Sequence, residues 1–296
     1  MSVTITQIEK HAANMRRNIV RMISLAGSGH PAGALGLADI FAALYFEVLR
    51  YNPKNPADPD RDILVLSAGH TVPVQYAALA EAGLIPENEL WTLRQFGSRL
   101  QGHPERQRLP WLETTSGPLG CGISQGAGMA LSIKMERHPG LVPGSNQLNK
   151  SSIGFRDKPG MTSERFVYVV TGDGELDEGN NWEALMFAAK YRLGNLIAIV
   201  DRNNIQQSAS TEEVMPLEDL HAKWAAFGWH VIEIDGNNVR SFIDACSEAR
   251  AETDRPSVII AHTIAGKGVD FMEGDYHWHG KAPDAAQAKE ALEELR

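Results

Sequence analysis

The second half of the chain alternates short apolar runs with helix-length segments, and this alternation limits the possible folds more than any other feature. Phe166-Val167-Tyr168-Val169-Val170, Leu196-Ile197-Ala198-Ile199-Val200, His230-Val231-Ile232-Glu233-Ile234 and Ser257-Val258-Ile259-Ile260-Ala261 are β-rich. Helical segments lie between them, at about Asn180–Tyr191, Leu217–Phe227 and Val239–Ala251. Strands separated by helices of about ten residues or more form βαβ units, and hence a parallel sheet. Most of these runs are continuously apolar, as strands covered by helices on both faces require. The expected fold class is α/β: a doubly wound, mostly parallel sheet with helices on both faces.

The first half fits the same scheme. Ile5, Ile8, Ala12, Met15, Ile19, Met22 and Ile23 recur at spacings of three and four, a helix with one buried stripe. It stops at Ala26-Gly27-Ser28-Gly29-His30-Pro31, and a second helix is expected from about Leu37 to Leu49. Ile63-Leu64-Val65-Leu66 reads as a buried strand ending at Ser67-Ala68-Gly69-His70, with a helix from about Pro73 to Gly83 behind it. Pro283–Arg296 is a further helix candidate. Pro139–Glu164, rich in Pro, Gly, Ser and Asn and without period, reads as a long loop, functional or mobile. No repeat or second domain boundary is visible, so residues 1–296 are read as one domain.

Charge and cysteine content narrow the function classes. The 28 basic and 37 acidic residues give a net charge of −9, which argues against wholesale binding of nucleic acid or an anionic membrane. Cys121 and Cys246 are too few for a disulfide framework, and no CxxC or Cys/His metal spacing occurs. Charged residues interrupt the first 20 positions, and nowhere do about 18 apolar residues run together. A soluble, cytoplasmic protein with no membrane partner is expected.

In open parallel sheets, ligands bind beyond the carboxyl ends of the strands. There the chain places Gly69-His70, Gly172-Asp173-Gly174, Asp201-Arg202-Asn203-Asn204-Ile205 and Gly266-Lys267-Gly268. A carboxylate between two glycines lets the backbone approach an anion, with the next helix N-terminus aimed at it. Asp173, Asn203 and the carbonyl near Ile205 are hard oxygen donors of the kind Mg²⁺ or Ca²⁺ takes, alongside phosphate oxygens and water. A plain Gly-Asp-Gly turn with a capping Asn accounts for the same residues without a ligand. The interval between Asp173 and Asn203, one helix out and back on the next strand, weighs toward the cation.

Gly172-Asp173-Gly174 followed by Asn203 resembles the thiamine diphosphate motif of transketolases and their relatives. Ser28-Gly29-His30-Pro31, Leu66-Ser67-Ala68-Gly69-His70, Gly102-His103-Pro104-Glu105 and Thr114-Thr115-Ser116-Gly117-Pro118-Leu119-Gly120 resemble transketolase segments, in transketolase order. The resemblance runs from about Ile5 to His279. It implies that Asp173, Asn203 and the Ile205 carbonyl hold the divalent ion, Mg²⁺ or Ca²⁺. It implies that His70, Gly117, Pro118, Leu119, Gly172, Gly174, Asn203 and His279 line thiamine diphosphate. His30, His103 and His279 would face the substrate, and Glu178 and Glu183 match catalytic glutamates at a subunit interface. Imidazoles suit proton movement on a hydroxyl and a carbonyl because they titrate near neutral pH.

The chain departs from the family in two places. Cys121 stands where Gln is common, and Tyr276-His277-Trp278-His279-Gly280-Lys281-Ala282-Pro283 is closer to short, two-gene transketolase subunits. His277 is read as structural. The domain that carries the activating glutamate of the long enzymes has no counterpart here. The resemblance therefore implies an N-terminal subunit that pairs with a C-terminal transketolase subunit, as an α2β2 assembly acting on sugars or sugar phosphates. The alternatives are the alpha chain of a 2-oxo-acid dehydrogenase complex and a non-catalytic assembly module.

Overall fold

Five strands form one parallel sheet: β1 (Ile63–Leu66), β2 (Val167–Gly172), β3 (Leu196–Arg202), β4 (His230–Asp235) and β5 (Ser257–His262), in the order β1-β2-β3-β5-β4. The computed structural model describes residues 3–137 and 165–296, so the loop expected at 139–164 lies outside the described residues. Successive strand side chains point to opposite faces, and each apolar run is thereby divided between two cores. Tyr168, Val170, Ile197, Ile199 and Ile259 enter one; Val167, Val169, Leu196, Ala198, Val200 and Ile260 enter the other. This is why the runs are apolar at every position.

The first core also takes α1 (Ile5–Ala26), α2 (Pro31–Gly36), α3 (Ala38–Ala43) and α4 (Val72–Glu81). The second takes α5 (Gly122–Arg137) and α6 (Gly179–Lys190). Past the short α7 (Thr211–Val214), α8 (Leu220–Ala226) joins this second core, whereas α9 (Val239–Ala251) packs in the first. The change of face has a topological cause. β5 is inserted between β3 and β4, so the β4-α9-β5 connection runs back across the sheet. A right-handed crossover running back needs its helix on the opposite face. The last helix, α10 (Ala285–Glu294), packs Ala288 and Ala291 into the first core.

The structure corrects two helix readings and adds a helix, α5, that was not expected. The segment read as one helix from Leu37 to Leu49 is α3 followed by a π-helical turn, Leu44–Val48, and α2 already precedes it. The helix read from Leu217 starts at Leu220, where the Asp219 carboxylate caps the Ala222 amide. Helix α5 carries no sequence signal of its own, because Gly122, Gly126 and Gly128 lower helix propensity. Packing explains two of these glycines. A Cβ at Gly126 would lie 2.3 Å from Val169 Cγ2, and one at Gly122 would lie 2.3 Å from Ser67 Cβ. The glycines seat α5 directly on the sheet. No described helix is long and apolar enough to cross a membrane.

Candidate active site at the carboxyl ends of the strands

Four histidines from distant parts of the sequence meet at one end of the sheet. His30 precedes α2, His70 lies in the turn after β1, His103 sits on a loop, and His279 follows the turn Tyr276–Trp278. The ring centroid of His30 lies 5.1 Å from His70, 5.5 Å from His279 and 6.4 Å from His103, and His70 and His279 are 5.0 Å apart. Gly69 is required for one of these approaches, whereas a Cβ at Gly117 or Gly280 would make only ordinary contact. A Cβ at Gly69 would lie 2.5 Å from Ser116 Oγ and 3.2 Å from Gly117 N, so the Gly117-Pro118-Leu119 segment rests on the His70 turn. A Cβ at Gly117 would lie 3.8 Å from the His103 ring, and one at Gly280 3.5 Å from the His30 ring. His277 is exposed outside the cluster, paired with Asp275 at 2.6 Å.

Burial changes the chemistry expected of these imidazoles. It lowers His30 to about 4, with the neighbouring His279, Arg94 and His103 adding. It lowers His70 to about 3, with His279 adding most after burial. His103 and His279 are lowered too, both chiefly by burial. The expectation of titration near neutral pH is thus corrected for His30 and His70, which are neutral hydrogen-bonding groups at pH 7. The His30 Nδ1 and Ser116 Oγ atoms are buried without a hydrogen-bond partner, an arrangement that a polar ligand would complete.

A stability consequence follows. Between pH 6.5 and about 4, the unfolded chain takes up protons that folded His30 and His70 refuse. Stability is present above pH 6.5 and falls as the pH drops through this window. Urea unfolding midpoints measured from pH 7 to 4 should decline, and His70→Gln should decline less steeply. Equal slopes would show that the cluster is not the cause.

The second part of the site stands at the ends of β2 and β3. The Asp173 carboxylate is 2% exposed. Its Oδ2 accepts from the Asn204 amide at 2.7 Å, Arg202 Nη1 at 3.2 Å and the Thr211 hydroxyl at 3.3 Å. Among the described residues its Oδ1 accepts only the Gly174 amide, at 2.8 Å. Asn204 has a left-handed backbone, φ 63°, which asparagine tolerates. Asn203 Oδ1 accepts the Ile205 amide at 3.1 Å, while Asn203 Nδ2 donates to Asp201 at 2.8 Å. Burial raises the Asp173 carboxyl, against the Asn204 amide and Arg202, which lower it. Asp201, also bonded to Thr263, is pushed up to about 7 by burial, with the Asp173 charge adding.

Glu175 joins the two parts. Its Oε1 accepts Ser67 Oγ at 2.5 Å and the Gly120 amide at 2.8 Å. Its Oε2 accepts Thr171 Oγ1 at 2.7 Å and the Gly172 amide at 3.1 Å. One buried carboxylate thus ties the end of β1, the end of β2 and the Gly117–Gly120 segment together. The sequence reading gave no role to Glu175, Arg202 or Thr211. Only Arg202, a charge closing an apolar run, carried a sequence signal. Glu178 precedes α6 and lies against Gly120, where a Cβ would stand 2.6 Å from Glu178 Cβ, and Glu183 is on the exposed side of α6; neither makes a side-chain hydrogen bond or ion pair among the described residues.

Residues 8–295 match the family model described as "Transketolase, thiamine diphosphate binding domain". The chain belongs to the transketolase family. It is 39% identical over 291 residues to an apulose-4-phosphate transketolase subunit of Actinobacillus succinogenes, covering 98% of this chain and 96% of that protein. A 6-deoxy-6-sulfo-D-fructose transketolase subunit of Clostridium sp. is also 39% identical, over 97% of this chain and 95% of that one. Human transketolase is 35% identical over 98% of this chain, which spans 42% of the human protein. Among solved structures, the transketolase of Leishmania mexicana superimposes with a TM-score of 0.86 at 34% identity, over 97% of this chain and 41% of that chain. The α/β fold is that of the thiamine diphosphate-binding domain of transketolases, and the chain is a subunit-length member of that group of transferases.

The ends of β2 and β3 have acceptor atoms to spare for a cation. Asp173 Oδ1 and Asn203 Oδ1 each take one hydrogen bond, and no described donor reaches the Ile205 carbonyl oxygen. This is an oxygen-only set, suited to a hard cation whose remaining ligands are phosphate oxygens. No described cluster of three or more His, Cys, Asp or Glu offers a softer alternative. At the other end, the unpartnered His30 Nδ1 and the rings around it offer polar contacts to a ligand lying across the sheet end.

Proposed function

We propose that this chain is the N-terminal subunit of a two-subunit transketolase, folded as one thiamine diphosphate-binding domain over residues 1–296. It moves a two-carbon ketol unit from a ketose, or ketose phosphate, to an aldose or aldose phosphate. The observation that carries the reading is the convergence of four histidines beside the Asp173–Asn203 oxygen set, in a chain whose length matches relatives named as transketolase subunits. Neither the 2-oxo-acid dehydrogenase alternative nor the non-catalytic one is kept. The relatives named above are transketolases, and the acceptor atoms that a cation would need are present.

In this reading Asp173, Asn203 and the Ile205 carbonyl hold Mg²⁺, or Ca²⁺, against the diphosphate. Gly172 and Gly174 let the backbone approach, and His70, His279 and Gly117-Pro118-Leu119 line the cofactor. When bound, thiamine diphosphate supplies the nucleophilic carbon that takes up and releases the ketol unit. His30, His103 and His279 hold substrate hydroxyls, and neutral imidazoles accept and return the protons those hydroxyls exchange. The exposed carboxylates of Glu178 and Glu183 lie at the start of α6 and on it, and α6 also exposes Met186 (55%) and Phe187 (37%), with Leu119 (40%) nearby in the site. An apolar patch with unpaired acids fits a face that a C-terminal subunit covers in an α2β2 enzyme. The two free cysteines, one of them buried, suit the reducing cytoplasm.

The test is reconstitution. The purified chain with thiamine diphosphate, Mg²⁺ and a panel of ketose donors should show no ketol transfer, and adding its C-terminal subunit should start turnover. Full turnover by the chain alone would refute the two-subunit reading. Absence of turnover in the assembled enzyme on every donor would refute the transketolase reading.

A further inference from the structure

We propose that a cleft between α1 and the end of α4 binds a small zwitterion, a molecule with an oxyanion at one end and an ammonium at the other. The cleft holds about 410 Å³. Asn14, Arg17, Asn18 and Arg21 line it from α1, and Glu81 and Glu87 line it from the end of α4 and the turn Glu87–Thr92. The four α1 residues stand at i, i+3, i+4 and i+7. They form one polar stripe on a helix whose Ile8, Ala12, Met15, Ile19 and Met22 fill the core. Helix α4 begins beside His70, and its ten residues put Glu81 about 15 Å along the helix from that turn.

Asn18 is the residue that points to a ligand. It is 5% exposed, and of the buried Ser, Thr, Asn, Gln, Asp, Glu and Arg side chains described, it alone makes no hydrogen bond. Buried polar groups are ordinarily paired. The Asn18 amide lines the cleft and is not sealed from solvent, so a ligand lying there can complete it. Its neighbours are held in place. Arg17 donates to the Leu295 carbonyl at 2.7 Å and to Asn14 Oδ1. Asn14 Nδ2 and His11 Nδ1 both meet Glu81 Oε1 at 2.8 Å, and no described donor reaches Glu81 Oε2. Arg21 and Glu87 are exposed and make no side-chain hydrogen bond or ion pair among the described residues. Two guanidinium groups and two carboxylates thus line one cleft, and no described ion pair joins its walls. A bare anion would be repelled by the acids and a bare cation by the arginines, whereas a molecule carrying both charges satisfies both walls. The arginine forks suit a carboxylate or phosphate, and the Asn18 amide can donate and accept between the two ends. Amino acids and aminoalkyl phosphates share this chemistry.

The experiment is calorimetric titration of the full chain with two zwitterions, serine and phosphoethanolamine. Lactate, inorganic phosphate and ethanolamine serve as controls that carry one kind of charge. At least one zwitterion should bind about tenfold or more tightly than its controls. Serine alone would identify the ligand class as amino acids, and phosphoethanolamine alone as aminoalkyl phosphates. Arg21→Met and Glu87→Gln, both at exposed positions, should each weaken that binding by about tenfold with the urea unfolding midpoint unchanged. Asn18→Leu should abolish binding while the midpoint stays the same or rises, because the substitution removes a buried polar group that has no partner in the free chain. Controls that bind as tightly as the zwitterions, no binding of either zwitterion, or titrations that are the same in all three variants would overturn the proposal and leave a solvated polar cleft. None of these readouts needs ketol transfer, so they stand whether or not that reading holds.

Discussion

Asp173→Ala should lower thiamine diphosphate affinity by at least about a hundredfold if Asp173 holds the proposed cation, since loss of an anionic ligand to a hard cation exceeds the usual effect of a supporting residue. The carboxylate is the only full negative charge in the set formed with Asn203 and the Ile205 carbonyl. Its Oδ1 has capacity for a cation, while Oδ2 is spent on Asn204, Arg202 and Thr211. Calorimetric titration of the assembled enzyme with cofactor and Mg²⁺ measures the loss. Asp173→Asn is the informative companion, because it keeps the side-chain shape and removes the charge. It should lose cofactor affinity nearly as far, and stability with it, because the Gly174 and Asn204 amides donate to opposite oxygens and Arg202 loses its buried carboxylate partner. Unchanged cofactor affinity in both variants would remove Asp173 from the site.

Glu175→Gln should cost about 2–4 kcal/mol of stability, the range for leaving buried polar groups unsatisfied or a buried charged network broken. The Ser67 and Thr171 hydroxyls are able to rotate and adapt. The Gly120 and Gly172 amides are not, and they donate to opposite oxygens of the carboxylate. Whichever oxygen becomes an NH₂ group therefore faces a backbone N–H, so the isosteric amide is no remedy. Because Gly120 ends the Gly117–Leu119 segment and Gly172 precedes Asp173, cofactor affinity should fall together with stability. Urea unfolding and cofactor titration of the same variant test both effects. A stability loss below about 1 kcal/mol would mean that the network relaxes around the amide.

The two predictions differ in what made them accessible. Asp173 was visible in the sequence as a candidate because its pattern is local: a carboxylate between two glycines at the end of an apolar run, with Asn203 at the end of the next. Glu175 was not. It stands two residues from Asp173, and nothing in its neighbourhood shows that Ser67 and Gly120 converge on it. Those contacts span 108 and 55 residues of sequence. The histidines were found individually beside their glycines, but their protonation state was not. Burial moves His30 and His70 well below neutral pH, and burial is a property of the assembled cluster.

The same division holds for the fold. Period and composition determined the strands, the parallel sheet and the helices α1, α6 and α9, because each apolar stripe or run records which side of an element is buried. Tertiary contact alone decided α5, whose glycines oppose helix formation locally and are needed only where the helix meets Val169 and Ser67. It also decided the strand order and the face on which α9 lies. The pairing of Arg202 with Asp173 belongs to the same class. Hydrophobic periodicity is written residue by residue along the chain. The pairing of charges and the dehydration of a titrating group depend on neighbours that only the folded chain supplies.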